Sequence, residues 1–143
     1  MQTFLPNPDF IITAKKLDYR RLGKQRVEAK QILMVLDPSY EKKGWRNHPA
    51  VKMWRGYEAA LAVYGMAICE EWIGRGYNDS LYPWFSNQYA KLVGDRSLKL
   101  PVWLGDPKFH RSHRSNLLRK QPEHYRKFWP SIPDDLPYIW PVL

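Results

Sequence analysis

Cysteine is nearly absent: Cys69 stands alone in 143 residues, so no disulfide framework can hold the fold. Histidine is scarce as well, and the four residues show no zinc-ligand spacing, so neither a metal nor another cofactor is expected. No run approaches the ~18 apolar residues that a membrane-spanning helix needs. The start Met1-Gln2-Thr3-Phe4-Leu5-Pro6 lacks the basic opening and apolar stretch of a signal peptide. A soluble, cytoplasmic protein without a membrane partner is the expectation. Acidic residues are few, 14 against 23 Lys and Arg, which leaves a net charge of +9 and a pI near 9.7. Such an excess points to an anionic partner. Aromatic residues are plentiful instead, at 15% with seven Trp, which excludes a disordered basic tail. With 44% hydrophobic positions, residues 1–143 suit a single domain with one core, expected to act as a monomer.

All of the excess charge lies in two segments. Residues 14–30 hold seven basic residues (Lys15, Lys16, Arg20, Arg21, Lys24, Arg26, Lys30) against two acidic ones. Residues 108–127 hold seven (Lys108, Arg111, Arg114, Arg119, Lys120, Arg126, Lys127) against one. If the fold joins them they form one cationic face; otherwise they are two solvated helix surfaces. Periodicity predicts an all-α fold with about three main helices, long irregular connections and a proline-rich C-terminal strap. Leu22, Ala29, Leu33 and Leu36 recur on one helical face that Asp37-Pro38 ends. Pro49 opens a second stripe, Val51, Trp54, Leu61, Gly65, Ile68 and Trp72, closed by Gly74 and Gly76. Asp106-Pro107 reads as a cap and first position for a third helix to about Lys120. Ser86 to Val93 is ambiguous, and Pro122 opens a short turn. Pro130, Pro133, Pro137 and Pro141 favour an extended tail.

Three carboxylates stand out. At ~100° per residue, Asp18 and Gln25 fall about 40° and 60° from Leu22, inside the apolar sector. Glu58 falls within the second stripe, and Glu28 on the flank of the first helix. Inward carboxylates are either structural ion pairs or a site where chemistry justifies their desolvation. Between the first two helices, Trp45, Arg46, Asn47 and His48 place four binding groups in one loop, with His48 or Asn47 also able to cap the next helix. On the third helix Arg111, His113, Arg114, Ser115 and Arg119 suit phosphate contacts, the small serines admitting a close DNA backbone.

Several stretches resemble the bacteriophage pyrimidine-dimer DNA glycosylase (endonuclease V) family, and more closely a bacterial branch grouped with it. They are Thr3-Phe4-Leu5-Pro6, Leu17-Asp18-Tyr19-Arg20, Arg21-Leu22-Gly23-Lys24-Gln25-Arg26, Gly44-Trp45-Arg46-Asn47-His48-Pro49 and His113-Arg114-Ser115-Asn116-Leu117-Leu118. The resemblance implies a helical enzyme that bends double-stranded DNA, flips a nucleotide and breaks its glycosidic bond. Two features depart from the phage pattern. The threonine whose amine is the phage nucleophile is here Thr3, behind a Gln2 too bulky for efficient methionine removal. The glutamate that follows the Tyr-Arg pair is here Arg21. A carboxylate must come from elsewhere, with Asp18 the first candidate and Glu28 and Glu58 the others, and His48 or His113 as proton donor. Tyr19, Gln25, Trp45, Asn47 and Trp54 are candidates for the base pocket. Arg20, Arg21, Lys24, Arg26 and Arg46 join the third-helix residues as DNA contacts. The expected activity is excision of a damaged or modified pyrimidine, in repair or antiviral defence, with weak or no strand cleavage. A DNA- or RNA-binding module without catalysis, or an N-glycosidase acting on nucleotides or RNA, are the alternatives.

Overall fold

The computed structural model describes residues 1–42 and 44–142. Among them it contains seven α-helices and no strand, so the fold is all-α. The helices are α1 Phe10–Lys16, α2 Tyr19–Leu36, α3 Pro49–Lys52, α4 Glu58–Gly74, α5 Tyr82–Val93, α6 Pro107–Lys120 and α7 Pro122–Tyr125. The three predicted helices correspond to α2, to α3 with α4, and to α6. The ambiguous stretch is α5, and the short turn is α7.

Two boundaries differ from the sequence reading, and both move a carboxylate. Asp18 lies just outside α2 as its N-cap, with φ −65° and ψ 158°. Its carboxylate accepts from the Arg21 N–H at 3.4 Å, satisfying an orphan donor of the first turn. The predicted second helix breaks after Lys52, and Gly56 in the break has φ 89°, a conformation that favours glycine. The break resets the helical phase, so Glu58 does not point inward; it accepts from the Gly56 N–H at 2.9 Å on an exposed edge. The short helix α1, rich in β-branched residues and capped by Asp9, had no periodic signal to announce it.

Helix α4 is the centre of the molecule, packed against α1, α2 and α5, and it is apolar on nearly every face, as a buried helix must be. Close approach depends on two glycines. A methyl group on Gly65 would lie 2.4 Å from the Phe85 ring of α5, and one on Gly23 would lie 2.8 Å from the Trp72 ring.

Helix α6 was expected to face DNA, yet most of it is covered. Ser112 and Ser115 accept from the backbone N–H groups of Ile139 and Leu136 at 3.1 and 3.0 Å. Asn116 donates to the Leu136 carbonyl at 3.0 Å and Arg119 to that of Asp134 at 2.9 Å. Small hydroxyl residues do admit a close backbone here, but it is the protein's own C-terminal strap. Ser115 and His113 are thereby buried inside the protein rather than displayed for phosphates, whereas Arg119 stays exposed while it holds the strap.

Replacing Gly65 by Ala gains about 1 kcal/mol of helix propensity but forces the extra methyl against Phe85. Overpacking of this kind costs about 1–3 kcal/mol, so Gly65→Ala is expected to lower the urea unfolding midpoint without changing the slope of the transition.

Candidate active site

The site is built around the side chain of Gln25. This buried amide on α2 uses all four of its hydrogen-bonding positions. Its Oε1 accepts from the Phe4 N–H at 2.9 Å and from the Tyr64 hydroxyl at 2.7 Å. Its Nε2 donates to the Gln2 carbonyl at 3.0 Å and to Glu28 Oε2 at 2.8 Å. Residues 2–5 are all buried without being helix or strand, so their backbone needs such partners. Others complete the set. The Tyr64 hydroxyl also reaches the Phe4 carbonyl at 2.8 Å, Trp54 Nε1 donates to Thr3 Oγ1 at 3.0 Å, and the Leu5 N–H donates to His113 Nδ1 at 2.9 Å. The Leu5 carbonyl accepts from His110 Nδ1 at 2.7 Å, and His110 Nε2 accepts from the Gly105 N–H at 2.8 Å.

This clamped segment delivers Met1 to the wall of a cleft of about 560 Å³. Arg20, Arg21, Lys24 and Glu28 come from α2, Lys120 and Gln121 from the end of α6, His48 from the cap of α3, and Tyr138 and Trp140 from the strap. The two basic segments therefore do meet, through the first turns of α2 and the last residue of α6.

Of the three candidate carboxylates, Glu28 is the one that lines this cleft. Besides the Gln25 bond it has Lys24 Nζ at 4.0 Å, and its side chain is 14% exposed, so it remains reachable. Asp18 is occupied elsewhere. It accepts a short hydrogen bond from the Tyr125 hydroxyl, which in turn accepts from the Asp18 N–H at 3.0 Å. Arg21 Nη1 lies 3.3 Å away and also donates to Gln121 at 3.2 Å. Burial pushes the Asp18 carboxyl up, but the Tyr125 bond and the Arg21 guanidinium outweigh it and hold it below the usual carboxylate range. Asp18 thus orients Arg21 within the cleft wall and joins α2 to α7.

His48 accepts from the Ala50 N–H through Nδ1 at 3.0 Å, so the neutral ring carries its proton on Nε2. Burial, and then the α-ammonium of Met1, hold its pKa below the ordinary imidazole value. In that state it is a hydrogen-bond donor and not an acid. Trp45 stands edge-on to His48, with ring centroids 5.6 Å apart, and is 54% exposed; Asn47 and Arg46 beside it are exposed.

Other expected groups lie elsewhere. Trp54 has no exposed surface and cannot stack on a nucleotide. Tyr19 is stacked on Tyr77 at 6.5 Å, outside the cleft lining. Arg26 is paired with buried Asp79 at 2.5 Å and lies over the Trp72 ring at 5.1 Å, so it holds the connection after α4. Arg111 is exposed, and Arg114 is half-buried next to it, with burial lowering its pKa. Gln2, Phe4, Tyr138 and Trp140 line the cleft although the sequence reading did not select them. For Tyr138 and Trp140 the sequence signal was the interleaving of aromatics and prolines in the last residues, and for Phe4 its place in the Thr3-Phe4-Leu5-Pro6 stretch.

The family model for pyrimidine dimer DNA glycosylase matches residues 1–82. The chain belongs to that family. No curated protein and no solved structure matches it. The matched span contains the clamped segment, α2 and the His48 loop, and thus Glu28, Gln25 and the α2 cations. Lys120, Gln121 and the strap, which close the cleft, lie outside it. Among the described residues no helix is long and apolar enough to cross a membrane.

The histidines carry a pH prediction. Burial, with His110 nearby, pushes His113 down to about 3, and burial lowers His110 and His48 as well. Between about pH 6.5 and 4 the unfolded chain binds protons at these rings that the folded one does not. Stability is therefore complete above about pH 6.5 and declines as pH falls toward the folded values. Urea denaturation at pH 7.5, 6 and 5 should show that decline. His113→Asn, which keeps an acceptor for the Leu5 N–H, should flatten it.

Proposed function

We propose that the chain is a DNA glycosylase that flips a damaged or modified pyrimidine out of double-stranded DNA and breaks its N-glycosidic bond at the Glu28 cleft. The observation that carries this reading is the position of one reachable carboxylate, fixed by Gln25, inside a cleft whose other charged side chains are cations. Arg20, Lys24 and Lys120 hold phosphates around the flipped nucleotide, while Arg21, oriented by Asp18, supports the same face. Fixing the sugar so places C1′ beside Glu28. As the C1′–N bond breaks, its electron pair leaves with the base, and the His48 Nε2–H stabilises the base at a carbonyl oxygen. Glu28 stabilises the oxocarbenium-like sugar and takes a proton from the water that adds to C1′. The product is an abasic site.

A second reading rests on Met1. Its α-amino group, at the first residue of this sequence, lies close enough to His48 to lower the ring's pKa and on the wall that Glu28 shares. Attack by that amine instead of water gives a Schiff base, which permits strand cleavage by β-elimination.

Mass spectrometry of free bases released from damaged and base-modified DNAs tests the activity. Glu28→Gln should abolish release while DNA affinity persists, and Asp18→Asn should mainly lower stability. Binding without release from any DNA would establish a non-catalytic module. Borohydride trapping separates the two nucleophiles. A covalent adduct with nicking before alkali identifies the amine, and breaks only after alkali identify water.

Binding itself should depend steeply on salt. Four phosphate contacts give a log–log slope of about −3 to −4, and Lys24→Ala should make it shallower by about one on every sequence alike.

A further inference from the structure

The cleft wall holds a donor with no acceptor. Gln2 is 8% exposed and its Oε1 accepts from the Thr3 N–H at 2.9 Å, but its Nε2 finds no hydrogen-bond partner among the described residues. His113 Nε2 and Arg114 Nε share that condition; Gln2 alone of the three lines the cleft. A buried donor left unpaired is costly, and where it borders a polar cleft it points to an ordered water or a ligand.

Its neighbours decide which. Gln25 Nε2 donates both to the Gln2 carbonyl at 3.0 Å and to Glu28 Oε2 at 2.8 Å. Two acceptors bonded to one amide nitrogen, about 120° apart, lie roughly 5 Å from each other. Gln2 and Glu28 are thus fixed side by side, and Glu28 Oε1, with Lys24 Nζ no nearer than 4.0 Å, can accept from a further donor. The Tyr138 hydroxyl of the strap completes the group. Burial raises its pKa, Arg119, the Gln2 amide and Arg21 draw it down, and Glu28 pushes it up. It therefore stands near both, although it and Gln2 Nε2 are not in hydrogen-bonding geometry. All three residues line the same cleft.

We propose that Gln2, Tyr138 and Glu28 hold the water that attacks C1′, with Gln2 and Tyr138 as its positioning residues. The inference rests on the glycosylase reading for the attack, not for the water. The water donates one proton to Glu28 Oε1 and the other to the Tyr138 oxygen, and one lone pair accepts from Gln2 Nε2. Its second lone pair forms the bond to C1′ as the C1′–N electron pair leaves with the base, and the proton facing Glu28 passes to the carboxylate. Such a site tells water from an alcohol. Methanol has a single O–H, which given to Glu28 leaves the Tyr138 oxygen facing a methyl group, and a site built around an O–H rejects the analogue that lacks it.

A crystal structure of the free wild-type protein, at a resolution that shows ordered water, tests the site without turnover. A water within about 3.2 Å of both Gln2 Nε2 and Glu28 Oε1 is expected; none at Gln2 overturns the assignment. Base release in aqueous methanol, from a DNA on which the wild type acts, tests the role. Gln2→Leu, bulky enough to keep Met1 in place, and Tyr138→Phe should each slow single-turnover release about tenfold with DNA affinity within about twofold. Tyr138→Phe should also raise the ratio of C1′ methyl glycoside to abasic site about fivefold, a ratio that a loss of folded protein does not change. Release at the wild-type rate in either folded variant, or an unchanged methyl ratio, overturns the positioning role. A borohydride adduct on Met1 makes the amine the attacker and overturns it too. A wild-type protein that releases no base from any DNA sinks the glycosylase reading alone, since the crystal structure still decides whether the water is held.

Discussion

Everything in the cleft depends on one amide. Gln25 is buried, and each of its four hydrogen bonds ends on a different group: two on the backbone of residues 2 and 4, one on Tyr64 of α4, one on Glu28. Leaving a buried polar group unpaired costs about 1–3 kcal/mol, so the four partners constrain one another strongly. No apolar residue of the same size could replace the glutamine without stranding the Phe4 N–H and the Gln2 carbonyl. The same bonds that anchor the N-terminal segment hold the Glu28 carboxylate in place, and the stability of the core and the geometry of the site are a single requirement.

A second constraint comes from the strap. Helix α6 carries six buried or half-buried polar side chains, and three of them, together with the exposed Arg119, end on backbone groups of residues 134–139. A chain segment rich in proline cannot pair in a sheet and needs side chains to satisfy its remaining N–H and C=O groups. Once bound, it brings Tyr138 and Trp140 to the cleft wall. Polarity on α6 thus serves the site indirectly, by fixing the aromatic tail that closes it.

This explains what was legible in the sequence and what was not. Periodicity and caps located α2 and α6, because Asp37-Pro38 and Asp106-Pro107 act locally. The break at Gly56 was invisible, since Val51 to Trp72 keeps a helical stripe across it, and the error carried Glu58 into the predicted interior. Asp18 is buried as predicted, but as a cap, because one residue of helix start decides between a face and a terminus. The small polar residues of α6 misled for a different reason. A Ser, Asn and Arg row has the same composition whether it binds phosphate or the protein's own carbonyls, and the difference lies in what packs against it. Gln25 was correctly placed inward by its angle from Leu22, but its partners are 21 or more residues away for the N-terminal segment and 39 for Tyr64, beyond any local pattern.

With Glu28 as the carboxylate of the proposed function, the departure from the phage pattern has a geometric resolution. There the glutamate follows the Tyr-Arg pair, the position that Arg21 occupies here, and Glu28 lies seven residues further on. Seven residues are about two helical turns, so Glu28 is displaced about 10 Å along α2 yet only ~20° around it. Arg21 and Glu28 therefore face the same cleft, with Lys24 on that face between them. A carboxylate moved along the face keeps its access to solvent and to a ligand while exchanging neighbours. It gains Gln25 as a partner, and the place it leaves is taken by a cation that Asp18 can orient. Moving the carboxylate by three or four residues would have put it at Lys24 or in place of Gln25, the residue that ties down the N-terminal segment. Two full turns is the nearest displacement along α2 that preserves both the face and the clamp.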